Sequence, residues 1–75
     1  MKSRTEILVD VVMKEFARAT EKFGSFNSPH EGYAVIKEEV DELWDEIKRG
    51  QDNQKMREEA IQVAAMAIRF LYDLT

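Results

Sequence analysis

Apolar side chains recur every three or four residues along most of the chain, which is the spacing of one face of an α-helix. The pattern occupies three stretches, separated by two short breaks that contain glycine and asparagine. Nowhere does it change to the strict alternation of a β-strand. We therefore predict an all-α fold, a single domain over residues 1–75 with helices at about 4–23, 29–49 and 54–74.

Residues that begin helices stand at the edges of these stretches. Ser3 and Glu6 have the spacing of a capping box, and Ser28 and Glu31 repeat it with Pro29 at the first helical position. Gly24 and Gly50 are predicted to end the first and second helices. Asp52 or Asn53, within the break at 51–53, is predicted to cap the start of the third helix.

The middle of the third stretch is apolar on almost every side. Its apolar members are Ile61, Val63, Ala64, Ala65, Met66, Ala67, Ile68, Phe70 and Leu71. Such a helix must be covered on most of its surface, and two partners of modest length cannot easily cover it. We infer that this helix lies at a subunit interface and that the protomer completes a four-helix-bundle-like core by homo-oligomerisation, as a dimer or a tetramer.

The composition of the chain excludes several kinds of metal site and several classes of partner. A 75-residue chain buries a small core, and this one has no cysteine and only one histidine, which excludes disulfides and thiolate or histidine-rich metal sites within one chain. The net charge of −4 argues against a nucleic-acid partner. The N-terminus lacks the apolar core of a signal peptide and no run is long enough to span a membrane, so we expect a cytoplasmic protein without a membrane partner.

Acidic residues of the second and third helices indicate a metal site. Glu39 and Glu42 lie together on one flank of the apolar stripe, where like charges three or four residues apart repel each other. Glu59 and Gln62 border the apolar face of the third helix and would face them if the two helices pack antiparallel. Carboxylate and amide oxygens suit Mg²⁺ or Mn²⁺. Solvated surface glutamates are the alternative explanation of the same pattern.

These residues also carry a family resemblance. The segment Glu38-Glu39-Val40-Asp41-Glu42 matches the EExxE motif of the MazG-like, all-α nucleoside triphosphate pyrophosphohydrolases, and Glu59-Ala60-Ile61-Gln62 is similar to their second motif, ExxD. The resemblance covers roughly residues 28–74 and is closest to the small single-domain bacterial and phage members. It implies a Mg²⁺-dependent (or Mn²⁺-dependent) hydrolysis of a (deoxy)nucleoside triphosphate to the monophosphate and pyrophosphate, and a homo-oligomer.

By this resemblance Glu39, Glu42, Glu59 and Gln62 would hold the metal, and Glu38, Glu39 and Glu42 would be the catalytic carboxylates. Within that set, Glu38 would be an auxiliary group that orients water or a second ion. Gln62 departs from the family pattern, which has aspartate at that position. Glutamine keeps an oxygen ligand but removes a negative charge, so the affinity for Mg²⁺ should fall.

Three functions remain open at the level of the sequence. The first is the pyrophosphohydrolase, for which Lys55 and Arg57 are candidate phosphate-binding residues near the metal. The second is a module that binds metal and nucleotide with little turnover, which the glutamine at position 62 favours. The third is a structural helical oligomer whose glutamates are solvated surface.

Overall fold

A computed structural model describes residues 1–50 and 52–75 of the chain. They form three helices, α1 (Arg4–Phe23), α2 (Pro29–Arg49) and α3 (Asn53–Leu74), and the described residues contain no strand. The all-α prediction is confirmed, and the predicted helix bounds agree with the observed ones to within one residue. Gln51, which the sequence places in the second break, lies outside the described residues.

The helix ends have the local interactions that the sequence predicts, with one exception. Ser3 and Glu6 form a complete capping box at the start of α1. The side chain of Asp52 caps α3, because its carboxylate accepts hydrogen bonds from the backbone amides of the second and third residues of that helix. The Ser28 hydroxyl caps α2, but the carboxylate of Glu31 does not turn back to the Ser28 amide. It accepts instead from the backbone and side-chain amides of Asn27, so the second capping box is only half formed.

The three helices form a thin layer with α3 in the middle. α3 packs against both α1 and α2, whereas α1 and α2 make no direct helix-to-helix packing in the described part of the chain. The principal extents are 35 × 35 × 19 Å. α1 and α2 therefore flank a groove on one side of the layer, and α3 forms its floor.

The hydrophobic core is small. Its buried members are Ala19, Phe26, Ala65 and Met66, and no large side chain among the described residues is completely buried. Partly buried side chains complete it: Val12, Phe16, Val35, Ile36, Phe70 and Leu74. A core of this size stabilises a lone 75-residue protomer only weakly.

Gly32 sets the close approach of α2 and α3. It is buried in the first turns of α2, and a Cβ atom there would lie 2.7 Å from the Phe70 ring and 3.1 Å from the Leu74 side chain. Because these α3 residues are near its C-terminus while Gly32 is near the N-terminus of α2, the two helices run antiparallel. The sequence argument for facing carboxylates required this arrangement.

Large apolar side chains remain exposed on the back of the layer. On α2 they are Tyr33, Val40, Trp44 and Ile47, and on α3 the exposed small and apolar residues are Ala60, Ala67 and Leu71. At about 100° per residue, the α2 members of this set lie roughly 140–180° around the helix from Glu42. The α3 members lie at the same angular distance from Gln62, and both reference residues are on the groove side. We call this surface the back face. α3 is thus covered on two sides by α1 and α2 and keeps one uncovered side.

None of the helices in residues 1–50 and 52–75 has both the length and the hydropathy needed to cross a membrane.

Candidate metal centre

Three carboxylates meet where α2 and α3 pack. Glu39 and Glu42 are one turn apart on α2, and Glu59 faces them from α3. One oxygen of each group lies within 4.8 Å of the others. Glu39 and Glu59 are half-buried and Glu42 is exposed, so the cluster is anchored at the helix interface and open to solvent on one side. We call these three residues the carboxylate cluster.

The surroundings disfavour negative charge on two of its members. Burial, followed by the nearby charge of Glu42 and a hydrogen bond with it, raises the pKa of Glu39 to about 7. Burial and a hydrogen bond with Glu42 also raise the pKa of Glu59 above its ordinary value. In addition, Oε2 of Glu59 is buried without a hydrogen-bond partner among the described residues. The cluster therefore has more negative charge and more acceptor oxygens than its neighbours neutralise.

A divalent cation would neutralise this excess negative charge and would coordinate the unpaired oxygens. Hard oxygen donors at short mutual distances are the ligands that Mg²⁺ and Mn²⁺ take in proteins, and the open side leaves room for water or phosphate oxygens. The sequence analysis predicted that Glu39, Glu42 and Glu59 come together, and the structure confirms that proximity. That the carboxylate cluster binds a metal ion stays a prediction.

Gln62 is placed differently from the other predicted ligands. It lies beside Glu15 of α1 at a surface pocket and, after the ion pair with Arg18, is one of the groups that lower the pKa of Glu15. It also lines the cavity that contains Glu39. An aspartate at position 62 would place a second carboxylate beside Glu15, which gives a structural reason for the neutral side chain.

Glu38 also lies outside the carboxylate cluster. It is exposed on α2 and lines a cavity of about 300 Å³ in the groove, together with Glu39 and Gln62. Glu46, which shares the flank of Glu39 and Glu42, is bound by Arg49 one turn later on α2.

The two candidate phosphate-binding residues lie on different sides of α3. Both Lys55 and Arg57 are exposed. Around the helix axis Lys55 is about 20° from Gln62 and Arg57 about 140° from it. Lys55 therefore shares the groove side with the carboxylate cluster, whereas Arg57 belongs to the back of the layer, and we leave Arg57 out of the candidate site.

Sequence reasoning missed the role of Arg69 and Asp73. Both residues are on α3, and each reaches to the loop between α1 and α2. Arg69 is only 3% exposed, donates through Nη2 to the Gly24 carbonyl at 2.7 Å, and lies with its guanidinium 4.2 Å from the centre of the Phe26 ring. The Asp73 carboxylate accepts from the Phe26 amide at 2.9 Å. Only the fold reveals these contacts, because they join residues more than 40 positions apart.

Comparisons of the chain with protein-family models, curated proteins and solved structures gave no match. The MazG-like resemblance therefore rests on the two sequence motifs alone.

Proposed function

We propose that the chain is a Mg²⁺-dependent nucleoside triphosphate pyrophosphohydrolase, which hydrolyses a (deoxy)nucleoside triphosphate to the monophosphate and pyrophosphate. The observation that supports this most is the carboxylate cluster of Glu39, Glu42 and Glu59. It joins the two motifs of the resemblance in space, although they come from different helices. Solvated surface glutamates would have no reason to converge at a half-buried helix interface, where their charges repel.

The roles of the residues follow from their positions. Glu39, Glu42 and Glu59 would hold Mg²⁺ or Mn²⁺, which neutralises phosphate oxygens and lowers the pKa of an attacking water. Binding of the ion requires Glu39 to lose the proton that its raised pKa favours, so metal affinity increases with pH around neutrality. Lys55, which is exposed on the groove side of α3, would attract the phosphate chain toward the cluster.

One observation favours a second candidate, a metal- and nucleotide-binding module with little turnover. Gln62 is an amide and lies beside Glu15, so the chain does not have the four carboxylates of the family pattern. A site with three carboxylates binds Mg²⁺ more weakly than one with four, because affinity follows the number of charged ligands. The two candidates share the cluster and differ only in the rate of hydrolysis.

The back face supports a homo-oligomer as part of the proposal. Its exposed α2 stripe and the uncovered side of α3 lie on the side of the layer away from the groove. Packing this surface against the same surface of a second protomer would place two antiparallel helices from each in a four-helix arrangement, and would leave both grooves open. Several large apolar side chains exposed on one face of a small protein are typical of an interaction site.

Release of pyrophosphate tests the proposed function. Ribo- and deoxynucleoside triphosphates would be incubated with the protein in Mg²⁺ or Mn²⁺, beside the variants Glu39→Gln and Glu21→Gln. We expect metal-dependent release that Glu39→Gln lowers at least about a hundredfold, since a ligand is lost, and that Glu21→Gln leaves unchanged. Metal and nucleotide binding without release would favour the second candidate. Absence of binding and release would reject both.

A further inference from the structure

The cavity in the groove has features of an organic binding site. It measures about 300 Å³, lies beside the carboxylate cluster through the shared residue Glu39, and extends to the loop that holds Phe26. Its walls are divided equally between apolar side chains and polar or charged ones, so the cavity offers both packing surface and hydrogen-bonding groups. This volume is at the lower end of the range for small-molecule pockets and accommodates a nucleobase with its sugar.

Arg69 contributes unused donors to this cavity. A guanidinium carries five N–H groups, and this one donates to the Gly24 carbonyl and to the weak acceptor Sδ of Met66. Its Nε is buried and has no partner among the described residues. A residue that is 3% exposed rarely keeps free donors, because unpaired buried polar groups cost free energy. The arrangement suits a ligand acceptor atom beside Arg69.

Glu38 provides the complementary acceptor. It lines the same cavity, is not part of the carboxylate cluster, and forms no ion pair in the described structure. Glu31 lines the cavity as well, but Asn27 already occupies its carboxylate. Glu38 is therefore the carboxylate in the cavity that is available to accept from a ligand N–H group.

The charge of the cavity decides which end of a nucleotide it takes. Glu31, Glu38 and Glu39 outnumber Arg69, so the cavity repels a triphosphate. The uncharged base and sugar fit there, with the phosphates at the carboxylate cluster, where the cation would offset their charge. Carboxylates accept from exocyclic amino groups and a guanidinium donates to ring carbonyls, the pairing used for cytosine and guanine in other settings.

From these observations we propose that the cavity binds a nucleobase that carries both an exocyclic amino group and a ring carbonyl, as guanine and cytosine do, with Glu38 accepting from the amino group and Arg69 donating to the carbonyl. The inference rests on the proposed function in taking the ligand to be a nucleotide. It assigns Glu38 to base recognition, whereas the family resemblance implies an auxiliary role at the metal.

Nucleoside binding without metal tests this assignment separately from hydrolysis. Chemical-shift changes of the full chain in EDTA would be titrated with guanosine, cytidine, inosine, adenosine and uridine. Inosine has the carbonyl of guanosine without its amino group, adenosine has only the amino group, and uridine has only carbonyls. We expect guanosine, cytidine or both to bind at least about tenfold more tightly than the other three, because each missing hydrogen bond leaves a protein group unpaired.

Variants identify the residues responsible. Glu38→Gln should weaken the preferred nucleoside about tenfold and leave Mn²⁺ binding intact, whereas Glu21→Gln should change neither. Arg69→Lys should reduce the advantage of the preferred nucleoside over adenosine; its circular dichroism must first match wild type, because Arg69 also holds the loop. Equal binding of all five nucleosides, no binding, or an unaffected Glu38→Gln variant would overturn the assignment. Nucleoside preference without hydrolysis would reject the proposed function only, and hydrolysis without base preference would reject the cavity assignment only.

Discussion

At the scale of single residues, Glu39 links the candidate site to the stability of the protein. Its pKa rises from 4.5 to about 7, and the pKa of Glu59 is raised as well. The folded protein therefore binds more protons than the unfolded chain between about pH 5 and pH 7, and its stability decreases as the pH rises through that window. The pKa of Glu15 is lowered, so this residue makes the stability increase with pH, but only at pH values below its ordinary pKa of 4.5.

We accordingly predict that the metal-free protein melts at a lower temperature at pH 8 than at pH 5.5. Saturating Mg²⁺ should raise the melting temperature more at pH 8 than at pH 5.5, because the ion binds the deprotonated cluster. Thermal denaturation at fixed protein concentration, with EDTA or Mg²⁺, measures both effects. Glu39→Gln should flatten the pH dependence. A metal-free protein that becomes more stable toward pH 8 would contradict the raised pKa.

The sequence predicted part of this site for a local reason. The spacing of Glu39 and Glu42 places them on one flank of α2 by helical geometry alone, and the antiparallel connection to α3 brings in Glu59. The positions of Gln62 and Glu38 could not be predicted in the same way. Gln62 lies beside Glu15 of α1, and Glu38 lines a cavity that forms only when the three helices and the loop between α1 and α2 pack together.

At the scale of elements, the contact of α2 with α3 depends on the absence of a side chain at position 32. We predict that Gly32→Ala destabilises the protein by about 1–2 kcal/mol, although alanine favours a helix by nearly 1 kcal/mol, because its Cβ would meet Phe70 at 2.7 Å. Urea denaturation measures the change. A double variant with Phe70→Leu should recover part of the loss relative to the sum of the two single changes. A stabilised Gly32→Ala protein would show that the helices are farther apart.

The loop between α1 and α2 is held by α3. Removing the acceptor with Asp73→Ala leaves the partly buried Phe26 amide unpaired, and we expect a loss of about 1–3 kcal/mol in the free energy of unfolding. Asp41→Ala is the matched control, because Asp41 forms an exposed pair with Lys37 that contributes little. If both variants unfold at the same urea concentration as wild type, the Asp73 contact does not stabilise the loop.

The helix ends were predictable where the capping signal is local, but not where a second hydrogen-bond partner competes for the capping residue. Ser3, Asp52 and Gly50 act within a few residues of themselves, and the structure places the ends of the helices accordingly. The carboxylate of Glu31 accepts from Asn27 and not from the Ser28 amide, and the spacing of Ser28 and Glu31 does not reveal this alternative partner. Likewise, the partners of Arg69 and Asp73 lie in a loop that is more than 40 positions away along the chain, and no local signal on α3 indicates them.

At the scale of the whole molecule, the thin layer and its small core require another source of stability, and the back face offers one. We predict that the protein is a dimer or tetramer at micromolar concentration and that Trp44→Glu, which puts a charge in the middle of the back face, produces monomers of lower melting temperature. Sedimentation equilibrium measures the mass. Glu21→Lys, a charge change on α1, should keep the oligomer. A wild-type monomer would contradict the proposed interface.

The sequence predicted that α3 keeps an apolar surface for a subunit interface, because α3 is apolar on almost every side and only two helices are available to cover it. It did not predict which helices share that surface. The structure places α3 between its neighbours and leaves the α2 stripe of Tyr33, Val40, Trp44 and Ile47 exposed beside it. That assignment depends on how α1 packs, and the polar and apolar pattern of α1 alone does not determine it.

Titration with Mn²⁺, followed by the electron paramagnetic resonance signal of the free ion, tests most directly whether the carboxylate cluster is a metal site. We expect saturable binding that Mg²⁺ displaces, that Glu59→Gln weakens at least about tenfold, and that Glu21→Gln leaves unchanged. Glu59 is the informative position because it is the member of the cluster that α3 contributes. Equal Mn²⁺ binding by wild type and both variants, or none by wild type, would show that the carboxylate cluster is not a metal site.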